Sequence, residues 1–241
     1  MAGIPIQHPS SDKDALMLDW KQLARESDEQ LATRDVAETH FACAASLPGA
    51  ERIDVPAYLR KIDQYAWQVR KTTDRLWPVF ERQPAKFDNS RAHFRLLVMT
   101  TVFQRDLGFR TTGRANRDDY NCSDSRDAFL HGLIERQTGT CSSLPVVYVA
   151  VGRRLNYPLR LVTCPQHLFA RWEEPGGERL NLECTSKGFH SHPDAYYLRW
   201  PILATNRDLF GTYFLKTLTP REELSGFLIQ RAYCSVSYTH L

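Results

Sequence analysis

The chain has 241 residues, of which 42% are hydrophobic and 24% are charged, a composition typical of a folded globular protein rather than a disordered one. Lysine and arginine number 31 against 28 aspartates and glutamates, and this net charge of +3 is too small to favour nucleic acid or an anionic membrane as the main partner. No apolar run approaches the roughly 18 residues that span a bilayer, and the N-terminal MAGIPIQHPSSDKD lacks the basic start and apolar centre of a signal peptide. We therefore expect a soluble, cytoplasmic protein without a membrane partner.

The first half of the sequence predicts a helical N-terminal region, 31–108, that follows a loose polar arm over residues 1–30. Apolar residues recur there at three- and four-residue spacing, which is typical of amphipathic helices. The predicted helical segments lie around 14–25, over 36–46, over 57–80 and over 91–106, the last with Ser90 as its cap.

The second half predicts a core domain over 109–235, in which a small sheet lies between helices. The polar, turn-rich segment 109–124 predicts a loop. After Tyr157-Pro158 the pattern changes to short alternating runs, which favour a three-stranded antiparallel meander. The predicted helices are 126–136, about 141–155 and about 194–230, and the predicted strands are Leu159 to Cys164, His167 to Trp172 and Arg179 to Glu183. This order of elements indicates the α+β class.

The last six residues, Val236 to Leu241, have the sequence VSYTHL. This ending resembles the translation of a common sequencing-library adapter, so we set it aside from fold reasoning. On that interpretation the natural chain continues past about Ser235, and the core domain is truncated here. A genuine polar tail is the alternative.

The cysteines are widely spaced and include no CxxC pair, so the sequence predicts neither a disulfide scaffold nor a zinc site. Each thiol is therefore judged singly. The six positions are Cys43, Cys122, Cys141, Cys164, Cys184 and Cys234.

Cys141 has the sequence context of a nucleophile. It lies in Thr-Gly-Thr-Cys-Ser-Ser-Leu-Pro, directly before an apolar run, and Pro145 is tolerated only near the start of a helix. The helix should therefore begin close to Cys141, where free N–H groups and the helix dipole favour the thiolate. Gly139 would allow a sharp turn and leave room for a substrate carbonyl. The alternative is a buried, inert cysteine.

The predicted strands supply a histidine and a carboxylate for this thiol. His167 starts the second strand and Glu183 ends the third, and a hairpin centred near Pro175-Gly176 places the two at or near opposite positions. Cross-strand partners share a face about 5 Å apart, so the imidazole and the carboxylate can meet. Alternation turns Leu180 and Leu182 to the core and Glu183 to the other face. A structural histidine and a surface carboxylate are the alternatives.

These motifs resemble the transglutaminase-like superfamily. The resemblance rests on Gly-Thr-Cys at 139–141 before an apolar helix, on His167 on the following strand and on an acid two residues before Thr185. An uncharacterised bacterial branch is similar over most of 36–200, through segments such as GTCSSLPVVYVAVGRRLNYPLRLVT, HLFARW, RLNLECTSKGF and DAYYLRWP. The resemblance implies a papain-like core, with the helix of the cysteine packed on a small antiparallel sheet, after a helical N-terminal extension.

The resemblance also implies roles for individual residues. Cys141 would be the nucleophile, His167 the general base and acid, and Glu183 the acid that orients the imidazole. Glu183 departs from the family pattern, which usually has aspartate there, so Asn181 is a second candidate for that role. The backbone N–H of Cys141 would be the first oxyanion donor, and Gln137 or Asn121 the second.

The predicted function is that of a cysteine enzyme acting on amide or peptide bonds through a thioester, as a protease, an amidase or an acyl transferase. Its substrate would be a peptide, a protein or a small amide. The alternative is a non-catalytic domain of the same fold that serves as a protein-binding module. Cys164, Cys184, His190 and His192 lie near the predicted site but lack zinc-ligand spacing, so we expect no metal and no other cofactor.

Overall fold

A computed structural model describes residues 19–112, 122–205 and 214–239, with side chains to residue 236. The class is α+β, as predicted, but the predicted helix over about 194–230 is wrong as a single element. Among its described residues, only Asp194–Tyr197 and those from Pro220 onward are helical, and Thr217 forms a β-bridge with Val162 instead. The helices are α1 (Trp20–Leu23), α2 (Asp28–Ala32), α3 (Val36–Ala44), α4 (Val55–Arg82), α5 (Arg91–Thr101), α6 (Leu130–Arg136), α7 (Leu144–Arg154), α8 (Asp194–Tyr197) and α9 (Pro220–Thr239). The strands are β1 (Arg110–Thr111), β2 (Thr138–Gly139), β3 (Leu159–Cys164), β4 (His167–Glu173) and β5 (Arg179–Leu182).

The predicted N-terminal helices are confirmed where the structure describes them. The Asp54 carboxylate accepts from the Ala57 N–H and caps α4, and the Ser90 hydroxyl accepts from the His93 N–H and caps α5. The predicted segment 91–106 is α-helical to Thr101 and continues as a π-helical turn over Val102–Asp106. Most of the predicted arm lies outside the described residues, and its described part forms α1 and α2.

The predicted antiparallel meander is confirmed, with strand order β3-β4-β5. The two-residue turn between β3 and β4 places Cys164 opposite His167, and Gln166 takes a left-handed conformation there with φ of 57°. One pairing was not predicted. Arg110 and Thr111 pair in parallel with Thr138 and Gly139, so the segment expected to be a loop begins with a short strand.

Each face of the meander packs against a different part of the chain. Leu161, Ala170 and Leu182 belong to the main hydrophobic cluster, which also takes in α7 and the N-terminal helices. Val162, Cys164 and Phe169 face the other way and form a second cluster with Tyr197 of α8. This arrangement follows from strand alternation, since neighbouring residues along a strand point to opposite faces.

Cys122 and Cys234 form a disulfide, so the expectation that each cysteine stands singly is wrong for this pair. The two lie 112 residues apart in the sequence, and local spacing therefore could not predict that they meet. The bond joins α9 to the segment that precedes α6. Cys43, Cys164 and Cys184 are buried thiols outside any disulfide, whereas the Cys141 thiol is partly exposed.

Within the described part of the chain, no helix combines the length and the apolar character needed to cross a bilayer.

Gly132 in α6 marks a close backbone approach. A β-carbon at this position would lie 1.9 Å from the carbonyl oxygen of Arg126, so the backbone itself would have to move. We expect Gly132→Ala to destabilise the protein by about 2 kcal/mol, as other overpacked sites do. Chemical denaturation measures this change.

Gly226 of α9 is the matched control, because nothing lies within 4 Å of the position of its β-carbon. Alanine is the better helix former there, so Gly226→Ala should stabilise the protein by up to about 1 kcal/mol. Equal effects of the two substitutions would contradict the close approach at Gly132.

Candidate active site

The segment before α7 holds Cys141 in a tight turn. α7 begins at Leu144, so the prediction that the helix begins close to Cys141 is wrong by about three residues. The N–H groups of Ser143 and Leu144 both donate to the Thr140 carbonyl, and the Ser143 hydroxyl accepts from the Thr140 N–H at 3.2 Å. Cys141 therefore lies in a hydrogen-bonded turn that leads into the helix, with Pro145 in the first helical turn.

Gly139 serves packing rather than the approach of a substrate. A β-carbon there would lie 2.7 Å from the Ser143 hydroxyl oxygen, 3.0 Å from Leu133 and 3.1 Å from Leu144. The residue is buried and extended in β2, so the predicted sharp turn and space for a carbonyl are not what this glycine provides. It allows β2 to pass directly beneath the turn that carries Cys141.

Two distant helices support the same turn. The Ser142 hydroxyl donates to Gln230 of α9 at 3.1 Å. The ring of His40, which is buried in α3, lies against the backbone of Ser142 and accepts from the Leu130 N–H at 3.4 Å. Burial lowers the pKa of His40 to about 3, so this ring is neutral near pH 7. The turn that carries Cys141 is therefore supported by helices from the N-terminal and the C-terminal parts of the described chain.

His167 lies between the Cys141 thiol and the Glu183 carboxylate. Its Nε2 is 2.8 Å from Glu183 Oε2, and the Cys141 thiol lies near enough to the ring to raise the pKa of His167. Since Nε2 faces the carboxylate, Nδ1 is the nitrogen left for the thiol. The side chains of His167 and Glu183 are only 4% and 1% exposed, so this contact is almost free of solvent.

The register of β4 and β5 agrees with a hairpin centred near Pro175-Gly176, and it places Glu183 near His167, rather than directly opposite, on the same face. Trp172 pairs with Leu180 and Ala170 with Leu182, so the same register continued would place Thr185, not Glu183, opposite His167. Glu183 is therefore offset by two residues, and diagonal neighbours lie about 7–8 Å apart rather than 5 Å. The longer side chain of glutamate spans this diagonal.

The Glu183 carboxylate has further donors. Its Oε1 accepts from the Thr185 N–H at 2.9 Å and from the Thr185 hydroxyl at 2.5 Å. Its Oε2 accepts from the Tyr197 hydroxyl at 3.4 Å. A buried carboxylate needs such partners, because the water that solvated it in the unfolded chain is gone.

The charges of the pair favour an imidazolium beside a carboxylate. Burial by itself would lower the pKa of His167, but its hydrogen bonds to Cys141 and Glu183 and the negative charge of Glu183 outweigh burial and raise that pKa to about 9. Burial would raise the pKa of Glu183, yet the bonds from His167 and Thr185 prevail and lower it. Near neutral pH, His167 is therefore protonated and Glu183 is ionised.

Aromatic side chains cover the pair. The Trp200 ring meets the His167 ring edge-on at a centroid distance of 4.7 Å, and the Tyr197 ring stacks on Phe169 at 3.9 Å. Tyr197 is fully buried, whereas Trp200 remains 36% exposed. Tyr197 therefore belongs to the core, while Trp200 lies beside the pair at the surface.

The three secondary candidates differ in position. Asn181 accepts from Arg171 at 2.7 Å and donates to Asp194 and to the His192 carbonyl, both at 2.8 Å, so its amide belongs to a different network from His167. The side chain of Gln137 lies against Gly108, 3.2 Å from the β-carbon position there. Asn121 lies outside the described residues.

The other cysteines and histidines near the predicted site have no role in the triad, and the structure places them as follows. Cys164 and Cys184 are buried at the sheet, and His192 stacks on Tyr196 at 3.9 Å, whereas His190 is exposed. Among the described residues, no group of three histidines, cysteines or acids is arranged to hold a metal ion.

The family follows from a comparison with family models. The model described as the transglutaminase-like superfamily matches residues 56–198, which is more than half of the chain and includes Cys141, His167 and Glu183. The chain belongs to the transglutaminase-like superfamily. The match begins in α4, so the superfamily domain takes in two of the helices assigned above to the N-terminal region.

A search of curated proteins gives a partial relative. A segment of 70 residues is 33% identical to F-box only protein 21 of Mus musculus. That segment makes up 29% of this chain and 11% of the mouse protein, so the relative extends far beyond the match. No solved structure matches the chain significantly.

Sequence reasoning missed the residues that surround the pair. Thr185 donates to the carboxylate two residues before it, a local bond that Ser and Thr often make near acids, and this spacing could have suggested it. Tyr197 and Trp200 stood in an aromatic run, but no local pattern places them on His167 and Glu183. Nothing in the sequence indicated the hydrogen bonds of Arg171, because an arginine on a strand is usually exposed and its sequence context does not distinguish a buried one.

The carboxylate can be tested by Glu183→Gln, which keeps the size of the side chain and removes its charge. We expect the pKa of His167 to fall from about 9, because the carboxylate then no longer offsets the effect of burial, while Cys141 still does so in part. An NMR titration of the His167 ring measures this. Since the protonated ring is the form that Glu183 stabilises, the stability gained from the charge pair should be present below about pH 6.5 and lost as the pH rises through about 9.

Glu173→Gln is the matched control, since Glu173 lies on β4, the strand of His167, but pairs with Arg179 at 3.3 Å instead. It should leave the titration of His167 unchanged. The same His167 pKa in wild type and Glu183→Gln would contradict the charge pair.

Proposed function

We propose that this chain is a cysteine enzyme of the papain-like type that transfers acyl groups from amides, with Cys141 as nucleophile, His167 as general acid and base, and Glu183 as the residue that orients His167. The observation that carries the proposal is the chain of contacts from the Cys141 thiol through the His167 ring to Glu183. A nucleophile, a base and a group that orients the base are the parts this chemistry requires.

The proposed reaction starts from a thiolate on Cys141 beside a protonated His167. The sulfur attacks the amide carbonyl, and the electron pair of the carbonyl moves to oxygen to give a tetrahedral oxyanion. When this collapses, the C–N bond breaks and the amine leaves with the proton of His167. A thioester on Cys141 and a neutral imidazole remain.

A nucleophile then completes the cycle. Water, or a second amine, loses a proton to His167 as it attacks the thioester, and the C–S bond breaks to restore the thiolate and the imidazolium. Water yields a carboxylic acid, the result of a protease or amidase, and an amine yields a new amide. We propose hydrolysis of a peptide or small amide as the main activity.

Glutamate in place of the usual aspartate supports the proposal rather than weakening it. The register sets Glu183 two residues from the position opposite His167, and the longer side chain reaches Nε2 at 2.8 Å. Aspartate at 183 would be shorter by one carbon–carbon bond, about 1.5 Å.

The reactivity of Cys141 tests the first step. We expect iodoacetamide to alkylate wild-type Cys141 well below the ordinary thiol pKa of about 8.5, and His167→Ala to slow alkylation at pH 6 by about tenfold or more, because the imidazolium no longer stabilises the thiolate. Mass spectrometry of the Cys141 peptide between pH 5 and 9 gives the rates.

The pH profile, not the rank among cysteines, decides this experiment, because Cys141 is the free cysteine that is partly exposed. His93→Ala is the control, since His93 pairs with Asp88 at 2.9 Å, away from the site, and should leave the profile unchanged. An ordinary thiol profile in the wild type would overturn the nucleophile assignment and favour the protein-binding module.

The thioester is tested by giving it two competing acceptors. With a panel of peptide amides in water, we expect carboxylic acid products, and with added hydroxylamine we expect hydroxamates at the same carbonyl. Cys141→Ala should form neither product. Hydroxamate without acid would indicate acyl transfer as the main activity, and neither product from any amide with active wild-type thiol would contradict the proposed reaction.

A further inference from the structure

Three residues on one face of β4 each contact a residue of the segment 192–200, which we call the cover segment. Along the strand these are His167, Phe169 and Arg171, spaced by two as alternation requires. In the cover segment Trp200 meets His167, Tyr197 stacks on Phe169 with an interplanar angle of 6°, and Asp194 bonds to Arg171 at 2.6 Å. The cover segment is thus attached to the strand at three successive positions.

Arg171 is the polar end of this attachment. Its side chain is 1% exposed, and its three nitrogens donate to Asn181 Oδ1 at 2.7 Å, to the Leu215 carbonyl at 3.0 Å and to Asp194 Oδ1 at 2.6 Å. Asn181 in turn donates to Asp194 and to the His192 carbonyl. A planar guanidinium satisfies such a fixed set of acceptors, and lysine would not.

The contact with the proposed site lies at the other end of the cover segment. The Tyr197 hydroxyl donates to the same Glu183 oxygen that faces His167, and Trp200 packs on the His167 ring. Without the cover, water would reach the pair and weaken the interaction between its charges.

We infer that Arg171 is a positioning residue of the proposed active site: by fixing Asp194 and Asn181 it holds the cover segment on the sheet, so that Tyr197 and Trp200 keep Glu183 and His167 aligned. The inference rests on the proposed function for its catalytic meaning. The alignment of His167 and Glu183 can be measured without it.

The charged and titratable groups around Arg171 are few. Asp194 lies at the cover segment, Arg179 lies on β5 and pairs with the other Asp194 oxygen at 2.9 Å, and Glu173 lies on β4 beside Arg179. Tyr197 completes the set. Arg179 and Arg171 therefore share one carboxylate, but Arg179 is half-exposed and Arg171 is buried.

The test is the titration of His167 by NMR in Arg171→Met and Arg179→Met, together with the pH profile of Cys141 alkylation. We expect Arg171→Met to lower the pKa of His167 by at least about one unit, because water then screens the negative charge of Glu183, which raises that pKa. Loss of alignment should slow alkylation at pH 6 by about tenfold. Arg179→Met should leave both unchanged.

Two results would overturn the inference: an unchanged His167 titration in folded Arg171→Met, or an equal shift in Arg179→Met. If Arg171→Met does not fold, Arg171→Lys is used instead, because it keeps the positive charge but loses the planar guanidinium with its several donors. We then expect a smaller fall in the pKa of His167, and an unchanged pKa would contradict the inference. If His167 responds as expected while wild-type Cys141 shows an ordinary thiol profile, the positioning role stands and the proposed reaction fails.

Discussion

The buried contact between His167 and Glu183 is the interaction on which the proposed site depends. An isolated charge in such surroundings is costly, because burial removes the water that solvates it. The structure offsets this cost by placing the opposite charge at 2.8 Å and by satisfying the remaining carboxylate oxygen with Thr185. The raised pKa of His167 and the lowered pKa of Glu183 are two results of the same contact.

The three-stranded sheet separates two kinds of packing. On one face, aliphatic residues such as Leu161, Ala170 and Leu182 join the main core beneath α7. On the other face, polar and charged side chains are buried beneath aromatic rings, and each has specific partners. Burial lowers the pKa of Arg171, while the charge of Asp194 opposes that shift. Replacing one partner alone would therefore leave an unpaired charge, which is why such networks tolerate few single changes.

The helices before the sheet contribute to the site as well as to the core. The main hydrophobic cluster is continuous from Leu23 of α1 to Cys234 of α9. His40 of α3 and Gln230 of α9 both contact Ser142, next to the proposed nucleophile. Gly139 lets β2 pass beneath the same turn. The position of the thiol therefore depends on elements that are far apart in the sequence.

Local physical rules predicted most of the elements and the candidates for the site, but not the short strands β1 and β2 or the break between α8 and α9. Periodicity indicated the helices of the first half, alternation indicated the meander, and Pro145 indicated the start of α7 to within about three residues. The types and order of Cys141, His167 and Glu183 suggested a triad before any contact was known. These features depend on residues close together in the chain, where backbone geometry and side-chain period act directly.

Only the tertiary structure decided how these residues meet. The register of β5 depends on how the turn at 174–178 closes, and it offset Glu183 by two residues so that glutamate rather than aspartate fits. Three other features join segments that are far apart in the sequence, so no local pattern predicts them. They are the disulfide of Cys122 with Cys234, the contacts of Tyr197 and Trp200 with the pair, and the burial of Arg171. A strand arginine can lie in water or in the core, and only the packed cover segment determined which.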